Sequence, residues 1–318
     1  MLISIILIIL GFASLIFGAN WLVDGASSLA KKYKVSDLVI GLTIVAFGTS
    51  APELVVNSIA SINGYPDIIF GNIIGSNNFN LFIILGIAGL IYPISVQSST
   101  VWREIPISLF AVLIFFLLAN DFFLNETSSI SRIDGLILLL GFAAFLYYVF
   151  KQMKTEATIE ISYVPQSNYK IWGLIIIGFA GLVIGGQLVV DNGIQIATSL
   201  GVSEKIIGLT IIAAGTSLPE LVTSIVAASK KNSDIAIGNV IGSNIFNILL
   251  ILSVSSFIKP ISFNPNFNLD IVILIGGTLF LFMAMFTGKR KQLDRWEAGL
   301  LLGFYLIYTI YLVWREIQ

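Results

Sequence analysis

The 318-residue chain contains no cysteine and no histidine. Disulfides, thiolate nucleophiles, histidine metal sites and histidine proton relays are thereby excluded. Charge is scarce too, at 11% of residues, and it nearly cancels to −1. Such a balance leaves no electrostatic footprint for nucleic acid. No GxxxxGK[ST] phosphate loop occurs that could couple the chain to ATP. Nothing here points to an enzyme, a cofactor or a protein partner.

What is abundant is apolar. With 57% hydrophobic residues and a mean hydropathy of +0.96, the chain is too apolar for a water-soluble domain to cover its surface. Continuous stretches of the ~20 residues that an α-helix needs to cross ~30 Å of hydrocarbon recur near 2–29, 36–61, 67–92, 103–120, 133–150, 170–198, 203–229, 234–258, 269–287 and 296–314. Period-two alternation is missing, so a β-barrel is not expected. The first stretch has neither a basic n-region nor a small-residue cleavage site and is read as a retained helix, not a signal peptide. The expectation is an all-α integral membrane protein with ten transmembrane helices.

Thirteen of the seventeen basic residues follow the odd-numbered stretches: Lys31, Lys32, Lys34, Arg103, Lys151, Lys154, Lys170, Lys230, Lys231, Lys289, Arg290, Lys291 and Arg295. Only Arg132, Lys205, Lys259 and Arg315 fall on the opposite side. By the positive-inside rule the first set is cytoplasmic, which puts both termini outside a cell membrane. These basic loops are read as topology signals and not as lipid-binding sites.

Two segments occur twice. GLTIVAFGTSAPEL, starting at Gly41, returns as GLTIIAAGTSLPEL at Gly208, and GNIIGSNNFN at Gly71 returns as GNVIGSNIFN at Gly238; both offsets are 167 (208 − 41 and 238 − 71). The leading helices of the two copies are separated by an odd number of crossings, so the halves must be inverted. Residues 1–150 form one five-helix repeat, 170–318 the other, and 151–169 a polar cytoplasmic connector. Inverted repeats with a midplane site at interrupted helices are the architecture of secondary transporters.

The repeated residues are polar groups set in apolar surroundings. In GTSAPE, Pro52 cannot donate a backbone hydrogen bond and Gly48 distorts at little cost, so the helix should kink around Thr49 and Ser50 and release carbonyls such as that of Ala46. Glu53 lies four residues after Thr49, on the same face. GTSLPE repeats this with Ala213, Thr216, Ser217 and Glu220. The second motif places Asn72, Ser76 and Asn80 in a polar stripe, matched by Asn239, Ser243 and Asn247. Gly71 with Gly75, and Gly238 with Gly242, are GxxxG pairs that allow close helix approach.

An acidic side chain at the bilayer centre costs about 2.5–3.5 kcal/mol. No Lys, Arg or His stands mid-span to neutralise Glu53 or Glu220. The counter-charge must be mobile: a metal cation or protons. Carboxylate, hydroxyl, amide and carbonyl oxygens are hard ligands that suit Ca²⁺ or Na⁺ and not zinc or copper. Two carboxylates balance one Ca²⁺, and the same oxygens can hold several Na⁺ instead. Competition for one ligand set is a physical basis for antiport. The residues by themselves leave open a Ca²⁺/H⁺ antiporter, with the glutamates as proton carriers. A cation channel would share the oxygen lining, but two inverted halves around one site suit it less well.

The doubled GTSxPE and GNxxGSNxxN motifs resemble the α-repeats of the cation/Ca²⁺ antiporter superfamily, in particular the prokaryotic sodium/calcium exchangers, over most of the chain. The resemblance implies exchange of Ca²⁺ for Na⁺ by alternating access, three Na⁺ per Ca²⁺, in the lipid bilayer. It implies calcium ligation by Thr49, Glu53, Thr216 and Glu220. It implies sodium sites on the same glutamates with Ala46, Ser50, Ser76, Asn80, Ala213, Ser217, Ser243 and Asn247. The chain departs at Asn247, where some members, including potassium-dependent ones, carry aspartate. That amide argues against K⁺ dependence. The glutamate-bearing motif of proton-coupled calcium exchangers is not evident, which favours Na⁺. Asn72, Asn239, Asn77 and Asn244 fit ligation and helix-bridging equally well. Asp24 and Asp191 are expected to be structural or interfacial, and Trp21, Trp102, Trp172, Trp296 and Trp314 to anchor at the interfaces. The first and sixth helices, which carry no ligand cluster, are the expected moving elements.

Overall fold

The computed structural model describes residues 2–120, 128–156, 167–200 and 213–317. Its helices are α1 (Leu2–Tyr33), α2 (Asp37–Thr49), α3 (Ala51–Asn63), α4 (Pro66–Ile91), α5 (Thr100–Asn120), α6 (Arg132–Glu156) and α7 (Asn168–Ser199). The second half continues with α8 (Ala213–Thr216), α9 (Leu218–Ser229), α10 (Ser233–Ile258), α11 (Asn268–Ala284) and α12 (Arg295–Ile317). Among the described residues, seven helices (α1, α4, α5, α6, α7, α10, and α11 with the turn before it) are long and apolar enough to cross a membrane. The bent pair α2–α3 makes an eighth. The chain is a multi-pass, all-helical membrane protein. Residues 203–212 of the seventh expected stretch lie outside the described residues.

Several helices outrun their apolar stretches. α1 continues to Tyr33 and α6 to Glu156 because Lys31, Lys32, Lys151 and Gln152 are good helix formers. Apolarity marks the extent of the membrane and not the end of the helix. The stops have local causes. Gly64, at φ +73°, caps α3 in the left-handed region that glycine enters without strain, and Pro66 then opens α4. Ser36 and Asn232 cap the starts of α2 and α10 through the N–H groups of Val39 and Ile235.

Both GTSxPE motifs break their helix at the second hydroxyl. Ser50 sits at φ −83°, ψ 7° and Ser217 at φ −89°, ψ 7°, and α2 and α3 meet at 46°. Proline early in the following helix explains the break, since it cannot serve the carbonyl four residues back.

α10 lies at the centre. In its most apolar window 94% of residues are buried, and in that of α4 72%, against 28% for α1, α6 and α7. The polar-striped helices are thus enclosed, and the peripheral ones turn Ile9, Phe17, Phe110, Leu140 and Ile176 outward. Trp21, Trp102, Trp172 and Trp296 are exposed, as interfacial anchors should be. Asp24 forms a surface ion pair with Lys230 at 2.7 Å.

α1 crosses α7 antiparallel. A Cβ at Gly18 would stand 2.8 Å from Gly178 O, one at Gly11 2.9 Å from Gly185 O, and one at Gly185 2.7 Å from Gly11 O. Helix backbones touch only where side chains vanish. Ser14 Oγ donates to Gly181 O across 167 positions, at 2.8 Å. Gly238 and Gly242 likewise bring α10 against α2, at Leu38 O and Leu42 O (both 2.9 Å). The segment matching this part of α2 in the second half is largely outside the described residues, so no equivalent contact is described for Gly71 and Gly75. Two short antiparallel pairs, Ile94–Ser95 with Gln292–Leu293 and Ser129–Ile130 with Ile261–Ser262, clip loops of one half to loops of the other.

Candidate cation-binding site

Where the two helix breaks face each other, the repeated polar residues converge. Glu53 opens α3 and Glu220 opens α9, and each is 1% exposed. The carboxylates are held across the halves: Ser50 Oγ donates to Glu220 Oε1 at 2.9 Å, and Ser217 Oγ to Glu53 Oε1 at 3.2 Å. Ser217 also lies 3.0 Å from Ser76 Oγ. Thr216 stands beside Glu53 and Thr49 beside Glu220. Among the described residues no Lys or Arg bears on either glutamate.

The asparagines complete the arrangement from α4 and α10. Asn77 Nδ2 donates to Asn244 O, and Asn244 Nδ2 to Asn77 O, both at 3.3 Å. Their side-chain oxygens accept from the ring of amides next to them: Asn247 Nδ2 reaches Asn77 Oδ1 at 2.9 Å, and Asn80 Nδ2 reaches Asn244 Oδ1 at 3.0 Å. Every one of these bonds has a twin in which the partners are exchanged and shifted by 167. Asn80 and Asn247 stand in wider i→i+5 turns, Phe79–Ile84 and Phe246–Ile251, a local geometry frequent at functional sites.

The ambiguity over the asparagines resolves here. Asn77 and Asn244 spend their amide groups on the neighbouring helix and on Asn247 and Asn80; they are positioning residues. Asn72 and Asn239 bridge to the hydroxyls of Thr216 (3.1 Å) and Thr49 (3.0 Å). One expectation is corrected: the carbonyl of Ala46 is not released, because α2 stays helical through Thr49 and Ala46 O accepts from Ser50 N at 3.0 Å, with Thr49 Oγ1 3.3 Å away. Ala213 opens α8, and its side chain is outside the described residues. Two participants escaped sequence reasoning, Asn57 and Ser224. The signal was their position, four residues after each glutamate and hence on its helical face.

Among the buried oxygens left without a hydrogen-bond partner, five belong to the expected ligand residues, Glu53 Oε2, Glu220 Oε2, Asn80 Oδ1, Asn247 Oδ1 and Ser243 Oγ, and Asn57 Oδ1 is another. Buried polar atoms are normally satisfied, so a cluster of orphans calls for a ligand. All five are oxygens and two belong to carboxyl groups, a donor set for a hard cation. No cluster of three or more acidic, histidine or cysteine side chains occurs among the described residues. Neutral oxygens must therefore supply the rest of any shell.

The family model for sodium/calcium exchanger proteins matches residues 3–151 and 170–314. The chain is 37% identical to the putative antiporter CaxA of Alkalimonas amylolytica, covering 97% of this chain and 98% of that protein. It is 33% identical to the sodium/calcium exchanger MaX1 of Methanosarcina acetivorans, over 98% of each. Among solved structures, the sodium-calcium exchanger NCX_Mj soaked with Na⁺ and Sr²⁺ superposes with a TM-score of 0.84 at 34% identity, over 97% of this chain and 98% of that one. The doubled motifs, the paired helix breaks and a match spanning both halves agree: the chain belongs to the sodium/calcium exchanger protein family.

Proposed function

We propose that the protein is a secondary antiporter that exchanges Ca²⁺ for Na⁺ at the Glu53–Glu220 site, in a cell membrane with both termini outside. The observation that carries this reading is the cluster of five orphaned buried oxygens around two carboxylates that no Lys or Arg among the described residues neutralises. One Ca²⁺ cancels both charges. Its ligands are Thr49, Glu53, Thr216 and Glu220. Na⁺ ions take the same glutamates with Ser50, Ser76, Asn80, Ser217, Ser243, Asn247 and the carbonyl of Ala213, the Ala46 carbonyl being closed into its helix. Because both cargoes need the two carboxylates, loading one requires release of the other.

Ten transmembrane helices in two inverted five-helix halves, 1–150 and 170–318 joined by 151–169, are the frame of this reading. The exchanged pairs of contacts support it: Gly11 with Gly185 against Gly18 with Gly178, and Ser50 with Glu220 against Ser217 with Glu53. Contacts that swap partners under one fixed shift indicate a two-fold relation. Where that relation turns α1 into an antiparallel α7, the axis lies in the membrane plane. α1 and α7 are the elements that move. They sit at the periphery, touch each other through glycines with little interdigitation, and supply no site oxygen.

The test is ⁴⁵Ca²⁺ uptake into proteoliposomes. An outward Na⁺ gradient at clamped pH should drive uptake, and a pH gradient without Na⁺ should not; uptake on protons alone would replace Na⁺ by H⁺ as the counter-ion. A second expectation concerns the positioning amides. Asn77→Ala removes the acceptor for Asn247 Nδ2 and should raise the KM for both Ca²⁺ and Na⁺ by about tenfold, the scale of one lost buried hydrogen bond. A KM within error of the wild-type value would show that Asn247 is held without Asn77.

A further inference from the structure

Asn57 and Ser224 occupy matching places (57 + 167 = 224), yet one is an amide and the other a hydroxyl. The difference reverses a hydrogen-bond chain. In the first half, Asn57 Nδ2 donates to the backbone carbonyl of Glu53 at 2.7 Å and to Asn72 Oδ1 at 2.6 Å. A carbonyl can only accept, so the Asn57 atom beside it must be the amide nitrogen. Asn72 must then turn its oxygen to Asn57 and its Nδ2 to Thr216 Oγ1, 3.1 Å away.

In the second half, Ser224 Oγ accepts a hydrogen bond and leaves the carbonyl of Glu220 to another donor. Asn239 Nδ2 takes it instead at 3.3 Å, with Ser224 Oγ at 3.0 Å. Asn239 therefore presents Oδ1 to Thr49 and accepts that hydroxyl's proton at 3.0 Å. The two threonines are left unequal. Thr49 gives its proton away and keeps its lone pairs for another partner, whereas Thr216 spends one lone pair on an N–H whose dipole points at it.

We infer that Asn57 is a positioning residue that handicaps Thr216 relative to Thr49 as a cation ligand, making the two matched halves of the site chemically unequal. The inference rests on the proposed site at Glu53 and Glu220. It has a consequence for specificity: a Ca²⁺ shell that needs both threonines is weakened, while Na⁺ positions that rely on the serines and on Asn80 and Asn247 are not.

The test exchanges the residues. Asn57→Ser frees the carbonyl of Glu53 for Asn72 Nδ2, turns Asn72 Oδ1 to Thr216, and should lower the KM for Ca²⁺ in Na⁺-driven uptake about three- to tenfold with the KM for Na⁺ little changed. Ser224→Asn imposes the same handicap on Thr49 and should raise the Ca²⁺ KM by a similar factor. Asn57→Thr supplies the same hydroxyl with different bulk and should behave as Asn57→Ser. The Ca²⁺ concentration that half-stabilises the detergent-purified variants against heat should shift in parallel, a readout that loss of packing would not produce. If Glu53→Gln silences transport but Asn57→Ser and Ser224→Asn leave the Ca²⁺ KM unmoved, the site stands and the inference falls. If Glu53→Gln transports like wild type, the inference falls together with the site.

Discussion

Glu53→Gln and Glu220→Gln should each abolish Ca²⁺ transport while leaving a folded, monodisperse protein. Glutamine keeps the shape and one acceptor oxygen, so the Ser217 and Ser50 hydroxyls retain a partner for the bonds now made to Oε1. What disappears is half of the fixed charge. Removing one side of a buried ion pair costs about 3–5 kcal/mol, so Ca²⁺ affinity should fall by at least a factor of about a hundred. Stability without ions should move the other way. In wild type the two carboxylates face each other in a low-dielectric interior with no Lys or Arg among the described residues nearby; an amide at either position removes that like-charge repulsion. Each variant should therefore melt at the same or a higher temperature than ion-free wild type, and Ca²⁺ should no longer raise that temperature. Wild-type uptake by either variant would refute the site.

The site was legible in the sequence to the extent that the chain repeats itself. Glu53 and Glu220, their serines and threonines, and the Ser76–Asn80 and Ser243–Asn247 stripes all lie inside the duplicated segments, and proline beside the hydroxyls announced the breaks at Ser50 and Ser217. What repetition could not disclose was which halves touch. That Ser50 serves Glu220 rather than Glu53 depends on a two-fold crossing, and no single helix carries that information. Asn57 and Ser224 stayed hidden because they differ between the copies, although that difference sets the direction of the Asn72 and Asn239 amides. The Ala46 carbonyl was misjudged for a local reason: proline at position 52 withholds its N–H from residue 48, not from residue 46, and Ser50 still closes the preceding turn. The crossing of α1 over α7 was present as Gly11, Gly18, Gly25, Gly178 and Gly185, but small residues in an apolar helix do not name their partner.

Transport should respond to membrane potential, and the equilibrium should respond more cleanly than the rate. With the three Na⁺ per Ca²⁺ that the resemblance implies, two fixed carboxylates would be neutralised by one Ca²⁺ and overcompensated by Na⁺, so the two loaded states would differ by one charge whatever fraction of it the glutamates carry. One charge crossing the membrane is worth about 2.3 kcal/mol per 100 mV, which is a factor of about fifty in an equilibrium constant at 25 °C. With Na⁺ high outside proteoliposomes and Ca²⁺ trapped inside, entry of three Na⁺ for each Ca²⁺ that leaves carries positive charge inward. A valinomycin-set potential of about −100 mV inside should therefore raise the outside-to-inside Ca²⁺ ratio at equilibrium about fiftyfold over the ratio at zero potential. Initial rates can hide this effect if the slow step is the movement of the neutral Ca²⁺-loaded state, which the field does not push. The ratio has no such escape, because it depends only on the charge moved per complete cycle. A ratio indifferent to potential, with Na⁺ dependence intact, would mean two Na⁺ per Ca²⁺; the Asn80 and Asn247 oxygens would then be helping to hold two sodium ions, with no third.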